Sequence, residues 1–424
     1  MKNILHKLHL ILQDDVLRKR VLFTLGALLA FRLLANIPLP FVDTNQLAAL
    51  LGANDFLAIL NVFSGGGLTS LSIVMLGVSP FITASIIMQL LTFMFPKVKA
   101  MYQEEGESGR KKMTQYSRLM TVPLAIIQGF GFIGLLKSQG VLLPLTSLDV
   151  AILLVIAVAG SMLLTWIGEL VSEFGVGNGV SLIIFAGIVA AIPTQASRLF
   201  FSFTPEVIPT YVAGLVVALI VIYAVVVITE AERPIPVTYA KQVRGNNTYG
   251  GQSTYLPIRL NQAGVIPIIF AISILLFPNM IIQFLGRYNL TGIWETLLNV
   301  LNTIITNQWI YGILYFVLVF AFTYFYTAVT FDPEKIAENL QKGGAFIPGV
   351  RPGKSTVDHL AHIATRLTLF SALFLSVIAV LPFVIQAVTK NQSIAIGGTA
   401  LLIVVSVVIE LIKKLDAQVS MREY

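Results

Sequence analysis

Long apolar segments separated by short polar ones dominate this chain. Covering the hydrocarbon core of a bilayer takes about 20 apolar residues as a helix. Backbone polar groups must be paired in lipid, and the alternating pattern of a membrane barrel is absent, so we predict helices. Ten spans are predicted, at 21–36, 70–95, 117–136, 149–169, 179–193, 209–229, 263–286, 308–330, 367–388 and 394–412.

Composition supports the same interpretation. The chain has 424 residues, of which 56% are apolar and 12% charged, and its mean hydropathy is +0.84. Soluble domains have about 45–50% apolar and about 25% charged residues. We therefore predict an all-α polytopic membrane protein. The absence of cysteine excludes disulfides, thiolate metal sites and cysteine nucleophiles.

The basic residues lie mostly on one side of the predicted membrane. Residues 1–20, the loops after every second span and the C-terminal tail hold 23 of the 28 Lys and Arg residues. The opposite loops hold four, and Arg32 lies in the first span. The positive-inside rule then places both termini in the cytoplasm. The net charge of +7 therefore reflects topology and does not indicate nucleic-acid binding.

The ten spans divide into two groups of five. We expect a cytoplasmic amphipathic helix at 1–20, an N-terminal half at 21–193, a C-terminal half at 194–412 and a cytoplasmic tail at 413–424. An odd number of spans per half inverts the second half relative to the first, as in proteins built from inverted repeats. The sequence permits that arrangement.

Catalytic chemistry is sparse. No metal-ligand spacing, phosphate-binding Gly-Lys motif or acid/base constellation is present, so we expect no enzyme activity and no cofactor. Arg32 is the one basic residue inside a span, and the glutamates near the membrane lie at span ends. Ion-coupled transporters usually keep charges at mid-membrane. A secondary transporter for a small solute is therefore the weaker alternative to a passive pore.

Helix breakers and small polar residues cluster in the second, third and seventh spans. Helix packing through small residues explains each of them singly, whereas their clustering indicates a movable seam. The segment 61–70 contains three consecutive glycines before the second span. Its small uncharged residues suit either an exposed loop or a re-entrant segment lining a cavity.

Two long cytoplasmic loops complete the picture. The loop 230–262 has two extended runs around a turn at 245–247, which predicts a β-hairpin. The loop 331–366 predicts a short helix capped at Gly343-Gly344, then a Gly/Pro-rich tip with Arg351 and Lys354. Arg244 and Arg351 lie at loop tips, where an isolated arginine suits acidic protein groups or rRNA phosphates.

Five stretches resemble the SecY/Sec61 α-subunit family of protein-conducting channels, in particular its bacterial members. They are EEGESGRKKMTQYSR (104–118), GNGVSLIIFAG (177–187), QSTYLPIRLNQAGVIPII (252–269), GVRPGKST (349–356) and GGTALLI (397–403). The resemblance implies a gated passive pore in a bacterial plasma membrane. It also implies that the pore moves unfolded preproteins and releases hydrophobic segments sideways into lipid.

The resemblance also implies an architecture and site residues. Two five-helix halves form a clamshell around an hourglass pore, which opens between spans two/three and seven/eight. The implied pore ring is Val78, Ile82, Val180, Ile184, Ile269 and Ile403. The implied plug, within 61–71, is Asn61, Phe63, Ser64, Gly65, Gly66, Gly67 and Leu68. The implied lateral gate contains Thr83, Gln89, Gln128 and Ser273.

The partners implied by the resemblance are small membrane subunits of the SecE and SecG types, the SecA motor ATPase, the ribosome, preprotein signal sequences and the lipid bilayer. The docking residues that the resemblance implies are Arg244, Arg351 and Lys354. The first loop departs from the family because Glu232-Arg233-Pro234 stands where relatives carry paired basic residues. We therefore expect motor and ribosome contacts to shift toward the second loop.

Overall fold

The computed structural model describes residues 13–41, 71–103, 106–138, 140–201, 208–239, 242–244, 247–249, 253–285, 293–389 and 392–420. Within them the chain is mostly helical. The helices are α1 (Asp15–Leu34), α2 (Ser79–Met94), α3 (Pro96–Gln103), α4 (Gly106–Ser138), α5 (Ser147–Phe174), α6 (Gly179–Phe201), α7 (Ile208–Glu230), α8 (Ile266–Leu285), α9 (Ile293–Thr306), α10 (Gln308–Thr330), α11 (Pro333–Lys342), α12 (Lys354–Thr389) and α13 (Gln392–Ser420).

Ten of the described helices coincide with the ten predicted spans, namely α1, α2, α4 to α8, α10, α12 and α13. Among the described residues, five helices are long and apolar enough to cross a bilayer by length and hydropathy alone, and three further apolar helical stretches are shorter. The all-α polytopic fold class is confirmed.

Several helix ends differ from the predicted spans. Helix α1 begins at Asp15, inside the region expected to form a separate N-terminal helix, because Asp14 Oδ1 accepts hydrogen bonds from the N–H groups of Val16 and Leu17. Residues 1–12 lie outside the described residues. Helix α12 begins at Lys354, so the last third of the second loop is helical.

The second span starts later than hydropathy indicates. Residues 71–78 form turns, and helix α2 starts only at Ser79, with Pro80 in its first turn. Hydropathy reports apolar character and cannot separate a buried turn from a helix. The predicted start at residue 70 is therefore wrong as a helix boundary.

The two long loops that were predicted to be cytoplasmic contain all five described strands, and they fold together. Strands β1 (Glu232–Tyr239) and β4 (Ser253–Arg259) pair antiparallel, with Ile235 opposite Leu256. Strands β2 (Gln242–Arg244) and β3 (Asn247–Tyr249) form the tip of this hairpin. The predicted hairpin is confirmed. Strand β5 (Ala345–Phe346), from the second loop, adds to the other edge of β1.

A small apolar core joins these loops to the start of α12. It contains Ile235, Val237, Ile258, Ala345, Ile347, Leu360 and Ile363, all buried. The two loops and the first turns of α12 therefore form one unit, which we call the loop domain. The predicted short helix is confirmed as α11, which is capped by Gly343.

Most of the apolar interior forms one large cluster. It takes residues from α1, α2, α5, α6, α7, α8, α10, α12 and α13. A second cluster lies between α4, α5 and the turns at 71–78. Helices from both predicted halves share the large cluster. A pore between the two halves would therefore be blocked by apolar side chains in the middle of the bundle.

Candidate pore and its mouth

The six predicted ring residues all belong to the large apolar cluster or pack against it. Val78 is the N-cap of α2 and Ile82 lies one turn later, while Val180 and Ile184 are in the first turns of α6. Ile269 comes from α8 and Ile403 from α13. Five of the six are buried members of the large cluster, and Val180, which is half-buried, packs against it. These six β-branched aliphatic residues come from α2, α6, α8 and α13, and we call them the collar.

A cavity of about 790 Å³ adjoins this collar. Its lining includes Ile82, Val180, Ile184 and Ile269. It also includes the charged side chains of Glu107, Lys111, Arg118, Glu169 and Glu173, which lie on the predicted cytoplasmic parts of α4 and α5. The cavity therefore has an aliphatic inner end and a charged entrance. We call it the funnel.

The charges at the mouth are partly paired with one another. Arg118 of α4 and Glu169 of α5 form an ion pair, in which Nε donates to Oε1 at 3.3 Å. Lys111 Nζ lies 3.0 Å from Glu107 Oε1, one turn away on α4. The sequence assigned no role to the pair between α4 and α5, because only the fold brings residues 51 positions apart together.

The predicted gate residues lie along the seam between α2, α4 and α8, three helices that contact one another. Thr83 Oγ1 donates to Ser79 O at 3.0 Å and accepts from Gln128 Nε2 at 3.5 Å, which joins α2 to α4. Ser273 is buried but donates within its own helix, to Ile269 O at 2.8 Å. The structure thus brings Thr83 and Gln128 together and leaves Ser273 bonded within α8.

Gln89, the fourth predicted gate residue, faces the funnel from α2. Its Oε1 is buried and has no hydrogen-bond partner among the described residues. A buried amide oxygen without a partner costs about 1–3 kcal/mol. A state of the channel in which water or a translocating polypeptide donates a hydrogen bond to Gln89 Oε1 would therefore be stabilised.

The predicted docking residues have different settings. Arg351 is exposed. It lies between Gly349 (φ +82°) and Gly353 (φ +96°), two glycines in the left-handed region that allow the chain to turn at the tip of the loop. Lys354 is the exposed first residue of α12, and Thr356 Oγ1 donates to Arg351 O at 2.9 Å. Arg244 ends strand β2, where its backbone is in register with Asn247 of β3. The predicted plug residues Asn61 to Leu68 lie outside the described residues.

Comparison with known proteins gives a consistent picture. The SecY family model matches residues 72–412. A protein translocase subunit SecY from Streptomyces coelicolor is 38% identical over 428 residues, which is 96% of each chain.

Solved channel structures share the fold. A SecY structure, described as showing that its plug domain stabilises the closed state and maintains a membrane seal, has a TM-score of 0.67 at 20% identity and covers 96% of this chain and 93% of its own. Sec61 in a canine ribosome–channel complex from the endoplasmic reticulum has a TM-score of 0.62 at 20% identity. The match covers 96% of this chain and 93% of the Sec61 chain. The family match, the identity over nearly the whole chain and the shared fold together show that this chain belongs to the SecY family.

Proposed function

We propose that this chain is the central subunit of a protein translocation channel. It forms a gated passive pore that moves unfolded preproteins across the plasma membrane and releases hydrophobic segments sideways into lipid. The observation that carries this proposal is that four of the six predicted ring side chains, Ile82, Val180, Ile184 and Ile269, line the inner end of the funnel. The other two, Val78 and Ile403, are buried in the same apolar cluster. The translocase relatives support the same function.

The chemistry of the collar suits a polypeptide substrate. A pore for chains of any sequence cannot offer fixed charges or specific hydrogen bonds, because these would hold some side chains too tightly. It must still block ions when it is idle. A narrow aliphatic constriction dewets when empty and closes around a moving chain. Val78, Ile82, Val180, Ile184, Ile269 and Ile403 form this constriction in our proposal.

Sideways release needs a seam that opens to lipid. The contact of α2 and α4 with α8 is our candidate for this seam, because each of these three helices carries a buried polar side chain, Thr83, Gln128 and Ser273 respectively. Thr83, Gln89, Gln128 and Ser273 then form the lateral gate. The family implies a plug at Asn61 to Leu68, which would seal the resting pore together with the constriction.

The driving energy would come from partners bound at the loop domain. The Sec61 structure was determined in a ribosome–channel complex, and the family also implies a SecA-type motor. Arg351, Lys354 and Arg244 are our docking residues, with Arg351 the strongest because its tip is exposed. SecE-type and SecG-type subunits complete the assembly in a bacterial plasma membrane, with both termini cytoplasmic.

Reconstitution tests this function directly. The chain would be purified with its associated small membrane subunits and placed in proteoliposomes with the motor ATPase, ATP and a radiolabelled preprotein. We expect ATP-dependent protection of the preprotein from added protease, and no protection when ATP is omitted. Failure to protect any preprotein, together with uptake of a small solute, would contradict the channel and favour the transporter.

A further inference from the structure

The non-helical segment 71–78 lies within an apolar stretch that the sequence places in the membrane. All of its residues are buried except Ile73, which is half-buried. Non-helical backbone at membrane depth is tolerated only where protein or a water-filled cavity satisfies its polar groups. The partners of this backbone therefore show what holds the segment in place.

The first part of the segment is held by the chain just after α1. Leu39 N–H donates to Leu71 O at 2.7 Å, and Ile73 N–H donates to Ile37 O at 3.0 Å. The second part turns on itself, since Met75 N–H donates to Ser72 O at 2.9 Å and Gly77 N–H donates to Val74 O at 2.8 Å. The carbonyl of Gly77 is left for a partner from elsewhere.

Helix α5 supplies that partner. Ser161 is fully buried, and its Oγ donates to Gly77 O at 2.9 Å, across 84 residues of sequence. A hydrogen bond to a carbonyl that has no helical partner meets a need that the bilayer cannot meet with water. Ser161 therefore fixes the end of the segment, one residue before Val78.

The neighbouring residue on α5, Gly160, lets the two backbones touch. A Cβ at Gly160 would overlap the carbonyl oxygen of Ile73, would lie 2.9 Å from its carbonyl carbon and would lie 3.2 Å from Val74 Cα. The obstacle is backbone, which cannot rotate away as a flexible side chain can. Any larger residue at this position must push the segment from α5.

The segment leads straight into the constriction. Val78 caps α2, and its carbonyl accepts from Ile82 N–H at 3.0 Å, so the placement of 71–78 sets the placement of both ring residues from α2. We propose that Gly160 and Ser161 form a socket on α5 that holds segment 71–78 and thereby keeps the constriction sealed at rest. This role rests on the proposed constriction, and the socket residues act through Val78 and Ile82 as positioning residues.

The absence of native cysteine allows a sharp test. Ser72 is fully buried, and its Oγ has no hydrogen-bond partner among the described residues, so Ser72→Cys introduces a single shielded thiol at small cost. Labelling of this thiol by a charged, water-soluble thiosulfonate reports displacement of the segment. Ion conductance of the resting channel in planar bilayers reports the seal.

In the Ser72→Cys background we expect Gly160→Ala to raise both the labelling rate and the resting conductance by about tenfold, since the added methyl displaces backbone. Ser161→Ala removes one hydrogen bond and should raise both by about threefold. Gly26→Ala and Gly214→Ala are matched controls, because an added Cβ at either position meets nothing within 4 Å. Both controls should leave labelling and conductance unchanged.

Two outcomes overturn the socket. One is unchanged labelling and conductance in Gly160→Ala. The other is faster labelling with a tight seal, because the segment would then move without affecting the constriction. Should Gly160→Ala fail to assemble, Ser161→Ala decides by the same criteria. A separate experiment tests whether the ring residues form the constriction at all. If they do not, replacing the ring side chains with serine will leave ion conductance at its resting value.

Discussion

The proposed constriction and the loop domain differ sharply in chemistry, and we expect them to handle polypeptide in opposite ways. The constriction presents aliphatic side chains from four helices and no charge. The loop domain combines a small three-stranded sheet and its own apolar core with two exposed cations, Arg351 and Lys354, that lie between β5 and the start of α12. In our proposal this difference means that one chain separates passage from recognition. Passage requires a surface that binds nothing firmly, and recognition requires charged groups in fixed positions outside the membrane.

The funnel has both apolar and charged lining residues and is intermediate in character between the two. Its charged residues are largely engaged with one another, as in the pair of Arg118 with Glu169. Exposed or half-exposed pairs of this kind contribute about 0–1 kcal/mol each. Each ion pair therefore adds little to stability. The funnel entrance is charged, in contrast to the aliphatic constriction, but its charges are mostly paired, in contrast to the exposed cations of the loop domain.

The largest expected effect comes from making the constriction polar. Replacing Ile82, Ile184, Ile269 and Ile403 together with Ser should raise resting ion conductance on the order of a hundredfold, because the collar would no longer dewet. Single-channel recording in planar bilayers measures this.

The matched control places four serines on the outer face of α7. Val212, Leu215, Leu219 and Ile220 are all exposed there, so their replacement should leave conductance at its resting value. Equal conductance in the two variants would refute the constriction.

A smaller effect is expected from reversing one charge on the loop domain. Arg351→Glu should lower motor-driven preprotein transport about tenfold, since an exposed arginine that docks acidic groups becomes repulsive, and it should leave resting conductance unchanged. Transport into proteoliposomes at saturating ATP measures it. Lys342→Glu, which reverses another exposed charge in the same loop, is the control. Normal transport by Arg351→Glu would remove Arg351 from the docking surface.

The smallest effect concerns the scaffold that carries the tip. Leu360 is fully buried in the core of the loop domain, and Leu360→Ala should destabilise this unit by about 2–5 kcal/mol. We expect faster hydrogen exchange of the β1 and β4 amides and a loss of transport of about threefold. His359→Ala, at the neighbouring exposed position, should change neither. Unchanged exchange in Leu360→Ala would show that the two loops do not share a core.

Some of these features could be read from the sequence. The ten apolar helices follow from hydropathy, and the hairpin and the Gly343 cap follow from local turn chemistry. Spacing alone places Val78 with Ile82 and Val180 with Ile184 on common helix faces. It does not show which faces meet, and the family resemblance supplied that.

Other features depend on contacts that no local pattern encodes. Strand β5 has two residues and reaches β1 across more than 100 positions of sequence. The turns at 71–78 are as apolar as a helix, and the bond from Ser161 to Gly77 joins distant residues. Helix α9 has 14 residues. A search for membrane spans does not predict it, because a span needs about 20 apolar residues.

The central claim is that preproteins pass through the aliphatic constriction. Since the chain contains no cysteine, Ile184→Cys and Leu215→Cys each introduce one thiol, in the collar and on the outer face of α7 respectively. A preprotein with a single cysteine would be stalled during motor-driven transport, and disulfide formation would be induced by oxidation. We predict an ATP-dependent cross-link to the thiol at position 184 and none at position 215. Cross-linking at 215, or none at 184 while transport proceeds, would contradict the account.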